Sequence, residues 1–102
     1  MNINIAGWKD CGYFNKALGQ GNGTFNGKLN GYFTITGTEY SNRNDYKKWL
    51  IEEGFRDTFN NVKAKEHTSS PFVWLTFNDT SEILYVGGCD DFSDFCGKLK
   101  QN

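Results

Sequence analysis

Residues Pro71 to Asp91 read PFVWLTFNDTSEILYVGGCDD. Phe72 to Phe77 and Ile83 to Val86 are runs of aromatic, aliphatic and β-branched residues, a composition that fits a pleated, half-buried surface. Between them lies Asn78-Asp79-Thr80-Ser81-Glu82, a polar connection of hairpin length. The pair predicts two antiparallel strands. Gly87 and Gly88 then permit close backbone approach and positive φ. Asp91 or Ser93 can cap a last helix, whose apolar stripe is Phe92, Phe95, Cys96 and Leu99.

Toward the amino terminus the patterns alternate between strand and helix. Ile3 to Ala6 reads as a short strand ending at Gly7-Trp8. Phe14, Leu18, Phe25 and Leu29 form a helical stripe from about Tyr13, and the glycines at 19, 21, 23 and 27 predict an interrupted helix, since each costs roughly 1 kcal/mol relative to Ala. Tyr32 to Thr38 is a second strand by composition. Ser41 or Asn42 can cap a helix that buries Tyr46, Trp49 and Leu50, with Gly54 closing it. Phe55, Phe59 and Val62 add a helical turn or two, and Lys63 to Ser70 reads as a polar connection. The predicted order is β-α-β-α-β-β-α: one α/β domain over residues 1–102, with a mixed four-stranded sheet flanked by helices.

Composition narrows the function. Eleven Lys and Arg against twelve Asp and Glu leave a net charge of -1, too little field to favour nucleic acid or an anionic membrane. No apolar run approaches the roughly 20 residues that span a bilayer, and no signal pattern opens the chain, so a soluble cytoplasmic protein is expected. Three cysteines, an odd number, suit a reducing compartment. On that view the glycosylation patterns at Asn22 and Asn78 carry no weight. Gly21 to Gly27 has the wrong spacing for a dinucleotide loop, and no Cys-x-x-Cys or paired histidine supports zinc. His67, the single histidine, reads as a solvated loop residue.

Three segments bear chemistry. Cys11 directly follows the first strand and opens the first helix, where free N–H groups and the positive end of the macrodipole favour an anion, the condition for a reactive thiolate. Lys9 adds a nearby cation. Lys9, Asp10 and Gly12 argue for a turn rather than a core position. Pro71, the only proline, stands just before a strand, where its missing N–H is harmless. Gly87-Gly88-Cys89-Asp90-Asp91 joins the last strand to the last helix, whose start can hold a carboxylate.

Together, Cys11-Gly12-Tyr13-Phe14, Ser69-Ser70-Pro71 and Gly87-Gly88-Cys89-Asp90-Asp91 resemble the motifs of the glutaredoxin family, in the same order over nearly the whole chain. The resemblance implies a thioredoxin-like fold and a glutathione-dependent oxidoreductase. It implies Cys11 as nucleophile, flanked by Tyr13. Ser70, before a cis Pro71, would pair through its backbone with the cysteinyl part of glutathione. Gly88, Cys89 and Asp90 would hold the γ-glutamyl end. Lys9 is a looser transfer, because the family lysine falls where this chain has Trp8; the glycyl carboxylate would meet Arg43, Lys47 or Lys48. Phe14 replaces the second cysteine of the dithiol members, so the implied route is monothiol, acting on glutathionylated proteins as a monomer. Cys89 then counts as a turn residue and Cys96 as a core residue. The alternative is a [2Fe-2S] carrier, a dimer in which Cys11 and glutathione would ligate the cluster.

Overall fold

The computed structural model describes residues 1–25 and 33–100. The elements are β1 (Asn2–Trp8), α1 (Gly12–Phe25), β2 (Thr34–Tyr40), α2 (Arg43–Lys47) with a π-helical continuation Lys48–Glu52, a 3-10 turn Phe55–Thr58, α3 (Val62–Glu66), β3 (Phe72–Thr76), β4 (Ile83–Gly87) and α4 (Cys89–Lys100). The strands form one mixed sheet in the order β2-β1-β3-β4. β1 and β2 run parallel, and the β1–β3 and β3–β4 pairs are antiparallel. This is the expected α/β arrangement, with the expected hairpin at one edge. No helix among the described residues is long and apolar enough to cross a membrane.

Local chemistry accounts for the boundaries. Asn42 is extended and its side chain accepts from Asp45 N–H at 2.9 Å, which starts α2. Gly54 follows at φ 80°, a conformation that favours glycine, and ends the helical stretch. Asn61 caps α3 in the same way through Ala64 N–H at 3.1 Å. Lys63 to Glu66 is therefore helical, not part of a plain polar connection. Buried Ala64 anchors this short helix to the core.

The first helix also departs from expectation, running without interruption through Gly19, Gly21 and Gly23. Tertiary packing outweighs the glycine cost. Phe14 and Ala17 are fully buried on the sheet, and a Cβ at Gly21 would sit 3.3 Å from Phe92 and 3.4 Å from Ile5. The helix lies that close because the residue is glycine. Leu29 and Tyr32, expected in the stripe and in the second strand, lie outside the described residues, and β2 extends instead to Tyr40.

The alternation of β1 and β3 separates two cores. Ile3, Ile5, Val73 and Leu75 point to one face, where Phe14, Ala17, Phe92 and Cys96 from α1 and α4 cover them. Ala6 and Phe72 point to the other, beneath Tyr46, Leu50, Phe59 and Ala64. Helices thus cover both faces. At the far end of the second face polar residues take over: Asn4 Nδ2 donates to Thr76 Oγ1 at 3.2 Å, and Thr36 Oγ1 to Asn2 Oδ1 at 3.1 Å.

Candidate functional site

The strand-to-helix corner after β1 brings the first cysteine to its place. Cys11 N–H donates to Trp8 O at 3.0 Å, and Cys11 O accepts from Asn15 N–H at 3.1 Å. Cys11 is therefore the N-cap of α1. Its neighbours Lys9 and Asp10 are exposed, as a turn requires, but the thiol points inward, 7% exposed, with Sγ donating to the Ser70 carbonyl at 3.7 Å. The expected open turn cysteine is instead part of the α1–α4 core. The Ser70-Pro71 peptide beside it is cis, and Pro71 is fully buried.

One small residue permits this contact. Gly7, buried at the end of β1, would carry a Cβ 2.6 Å from the Phe14 ring and in collision with Ser70 Oγ. Its bare backbone lets the helix start and the proline loop close over the strand. Phe14 consequently lies in the interior, and the exposed ring at the helix start is Tyr13, at 66%. The Ser70 hydroxyl faces the same interior without a hydrogen-bond partner.

A cleft of about 430 Å³ opens beside this junction. Tyr13, Ser70, Gly88, Cys89 and Asp90 all line it, five residues drawn from three distant segments. Cys11 and Pro71 lie behind its wall, joined to it through Ser70. Lys9 does not line the cleft; its N–H donates to Tyr40 O at 2.9 Å. Neither do Arg43, Lys47 or Lys48, and the Arg43 guanidinium lies 5.9 Å from the centre of the Trp8 ring.

His67 also lines the cleft, and it is not a solvated loop residue. It is 8% exposed, edge-on to Phe72 with ring centres 4.8 Å apart. Nε2 faces two carbonyl oxygens, Ser69 O at 2.9 Å and Pro71 O at 3.0 Å, so it carries the proton and donates. Nδ1 then accepts from the Tyr85 hydroxyl at 2.5 Å. Burial, then the nearby Asp91 carboxylate, push the Tyr85 phenol up to about 12, which keeps that donor protonated. Burial lowers the His67 pKa below the usual histidine value, against the opposing pull of the Ser69 and Pro71 carbonyls. Desolvation of the imidazolium outweighs those two hydrogen bonds. Tyr46 adds a second donor to Ser69 O at 2.6 Å, and Arg56 Nη1 donates to His67 O at 2.9 Å. The loop that carries Ser70 is held from inside by four side chains.

The third wall begins at a bulge. Val73 pairs with Gly87 but Trp74 with Tyr85, which leaves Val86 without a partner and turns the strand end. Gly87 follows at φ 136°. The last helix starts at Cys89, earlier than an Asp91 or Ser93 cap predicts: Gly88 is the cap, its carbonyl accepting from Phe92 N–H at 3.0 Å. Asp91 sits in the first turn and reaches back to Gly88 N–H at 3.4 Å, the geometry of a capping box. Burial raises the Cys89 thiol pKa, Lys16 opposes this, and Asp90 and Cys11 reinforce it. None of the three cysteines forms a disulfide and all are buried, Cys96 within the core as expected.

Among the described residues no three His, Cys, Asp or Glu side chains gather into a metal cage. No protein-family model, curated protein or solved structure matches the chain.

Proposed function

We propose that this chain is a thioredoxin-like, glutathione-dependent oxidoreductase that removes glutathione from mixed disulfides through Cys11. The observation that carries the reading is the meeting of three motif segments at one cleft, with the Cys11 thiol at a helix start and against the Ser70 carbonyl. Cys11 acts as thiolate on the glutathionyl sulfur of a protein mixed disulfide. That S–S bond breaks, a Cys11–glutathione disulfide forms, and the protein thiolate leaves and takes up a proton. A second glutathione thiolate then attacks the glutathionyl sulfur, releasing oxidised glutathione and the Cys11 thiolate. In the resting complex the Ser70 backbone pairs with the cysteinyl part of the ligand. The first-turn N–H groups of α4 suit the γ-glutamyl carboxylate, and Asp90 suits its ammonium.

The test is turnover of a glutathionylated peptide with reduced glutathione. Wild-type protein is expected to release the free peptide. Cys11→Ser is expected to fall to the uncatalysed background, and Cys89→Ser to keep turnover. Equal rates for wild type and Cys11→Ser would overturn the reading.

The interior position of Phe14 supports a second use of the same thiol. A buried ring does not stand in the solvent-facing position where it would crowd a [2Fe-2S] cluster shared between two copies, with glutathione as co-ligand. Anaerobic reconstitution with glutathione separates the two uses: a coloured dimer marks the carrier, a colourless monomer the oxidoreductase alone.

A further inference from the structure

Glu66, Asp90 and Asp91 place three carboxylates around the cleft, and among the described residues no lysine or arginine lines it. Three cations on the surrounding elements have other contacts or act from outside, and Lys63 and Lys65, on α3, are exposed and do not line the cleft. Arg56, on the 3-10 turn, donates to the His67 carbonyl at 2.9 Å. Lys16, on α1, acts on the Cys89 thiol. Arg43, at the start of α2, stands over Trp8.

Glutathione carries two carboxylates and one ammonium at neutral pH. One end is matched here: the start of α4 for the γ-glutamyl carboxylate, Asp90 for its ammonium. Among the described residues the glycyl carboxylate has no lining cation to meet, and Glu66 adds repulsion in a concave site where field lines are focused. Resting on the glutathione reading above, we propose that the cleft selects a γ-glutamylcysteinyl thiol whose second carboxylate is masked, as an amide or an amine conjugate, over glutathione itself. A cationic amine in that conjugate meets Glu66 directly.

Calorimetric titration of the reduced wild-type protein with S-methylglutathione and with its glycyl amide tests this, because neither compound can exchange disulfides. At low ionic strength the amide is expected to bind about fivefold tighter, the size of an exposed charge contact. In about 1 M salt, where the Debye length is about 3 Å, that preference should largely vanish. Glu66→Gln should reduce it in the same way, with the carboxylate form gaining affinity and the amide little changed. Equal or tighter binding of S-methylglutathione, or a preference unmoved by both salt and Glu66→Gln, overturns the inference and leaves the glutathione reading standing. Absence of binding by either compound overturns both.

Discussion

The two faces of the sheet are built from different materials. The face under α1 and α4 is largely aliphatic and holds all three thiols, Cys11, Cys89 and Cys96, with Ile3, Ile5, Val73 and Leu75. The face under α2 and α3 is a continuous aromatic array: Trp49 stacks on Phe55 at 4.5 Å, Phe55 meets Trp74 at 4.8 Å, and Phe72 meets Tyr85 at 5.1 Å. The polar groups that hold the proline loop, from His67, Tyr46 and Tyr85, belong to this second side. The difference teaches how the site is divided. One face supplies sulfur in a small-residue core where helices approach closely. The other supplies rigid rings whose polar tips hold the backbone facing that sulfur, since Tyr and His bury an apolar body while keeping a hydrogen-bonding end.

The largest effect is expected on the aromatic face. Phe72→Ala removes a fully buried ring that touches Phe55, Phe59, His67, Trp74 and Tyr85, and should cost about 3 to 5 kcal/mol in urea unfolding. A loss below about 1 kcal/mol would mean that the rings repack freely and are not the rigid side of the molecule.

His67→Gln sharpens the link between the faces. It removes the ring nitrogen that bridges the Ser69 and Pro71 carbonyls, of which Ser69 O keeps the Tyr46 hydroxyl, and a loss of about 1 to 3 kcal/mol is expected at neutral pH. The pH dependence gives an independent readout. Because the folded-state pKa of His67 lies below the unfolded value near 6.5, the unfolded chain binds the proton more readily. Wild-type stability therefore falls as pH drops below about 6.5 and on through the folded pKa, and this contribution is fully present above 6.5. Urea midpoints measured between pH 7.5 and 5 should show the decline in wild type and a flatter profile in His67→Gln. Parallel profiles would remove the imidazole from the clamp.

The smallest effect concerns α1 on the aliphatic side. Gly19 is exposed and a Cβ there meets nothing within 4 Å, so Gly19→Ala should stabilise the protein by about 0.5 to 1 kcal/mol in thermal or urea unfolding. Gly21→Ala, against Phe92 and Ile5, should gain less. Equal gains at both positions would show that the close approach of α1 to the sheet is not set by glycine.

Much of this architecture is legible in local pattern. The runs 72–77 and 83–86 mark the hairpin because β-branched and aromatic residues break sharply at a polar connection, and Asn42 announces α2 because its short side chain can reach a free helix N–H. The Gly87-Gly88 corner and the cysteine opening α1 are legible for the same reason: turns and caps are decided by residues close in sequence. His67 is not legible. It sits within Lys63-Ala-Lys-Glu-His-Thr-Ser-Ser70, a stretch with no apolar signal, and only the hairpin brings Phe72 and Tyr85 around it.

By itself, then, the sequence determined the order of the four strands and the longer helices between them, the Asn42 cap, the identity of Cys11 as the residue that opens α1, and the three motif segments that meet at the cleft, because each rests on short-range backbone chemistry. Tertiary structure decided the strand order β2-β1-β3-β4, the persistence of α1 through its glycines, the inward turn of the Cys11 thiol and the burial of His67. Each of these depends on contacts between residues far apart in the chain. Burial of apolar surface and the exclusion of water from polar groups act there with energies that exceed any local propensity.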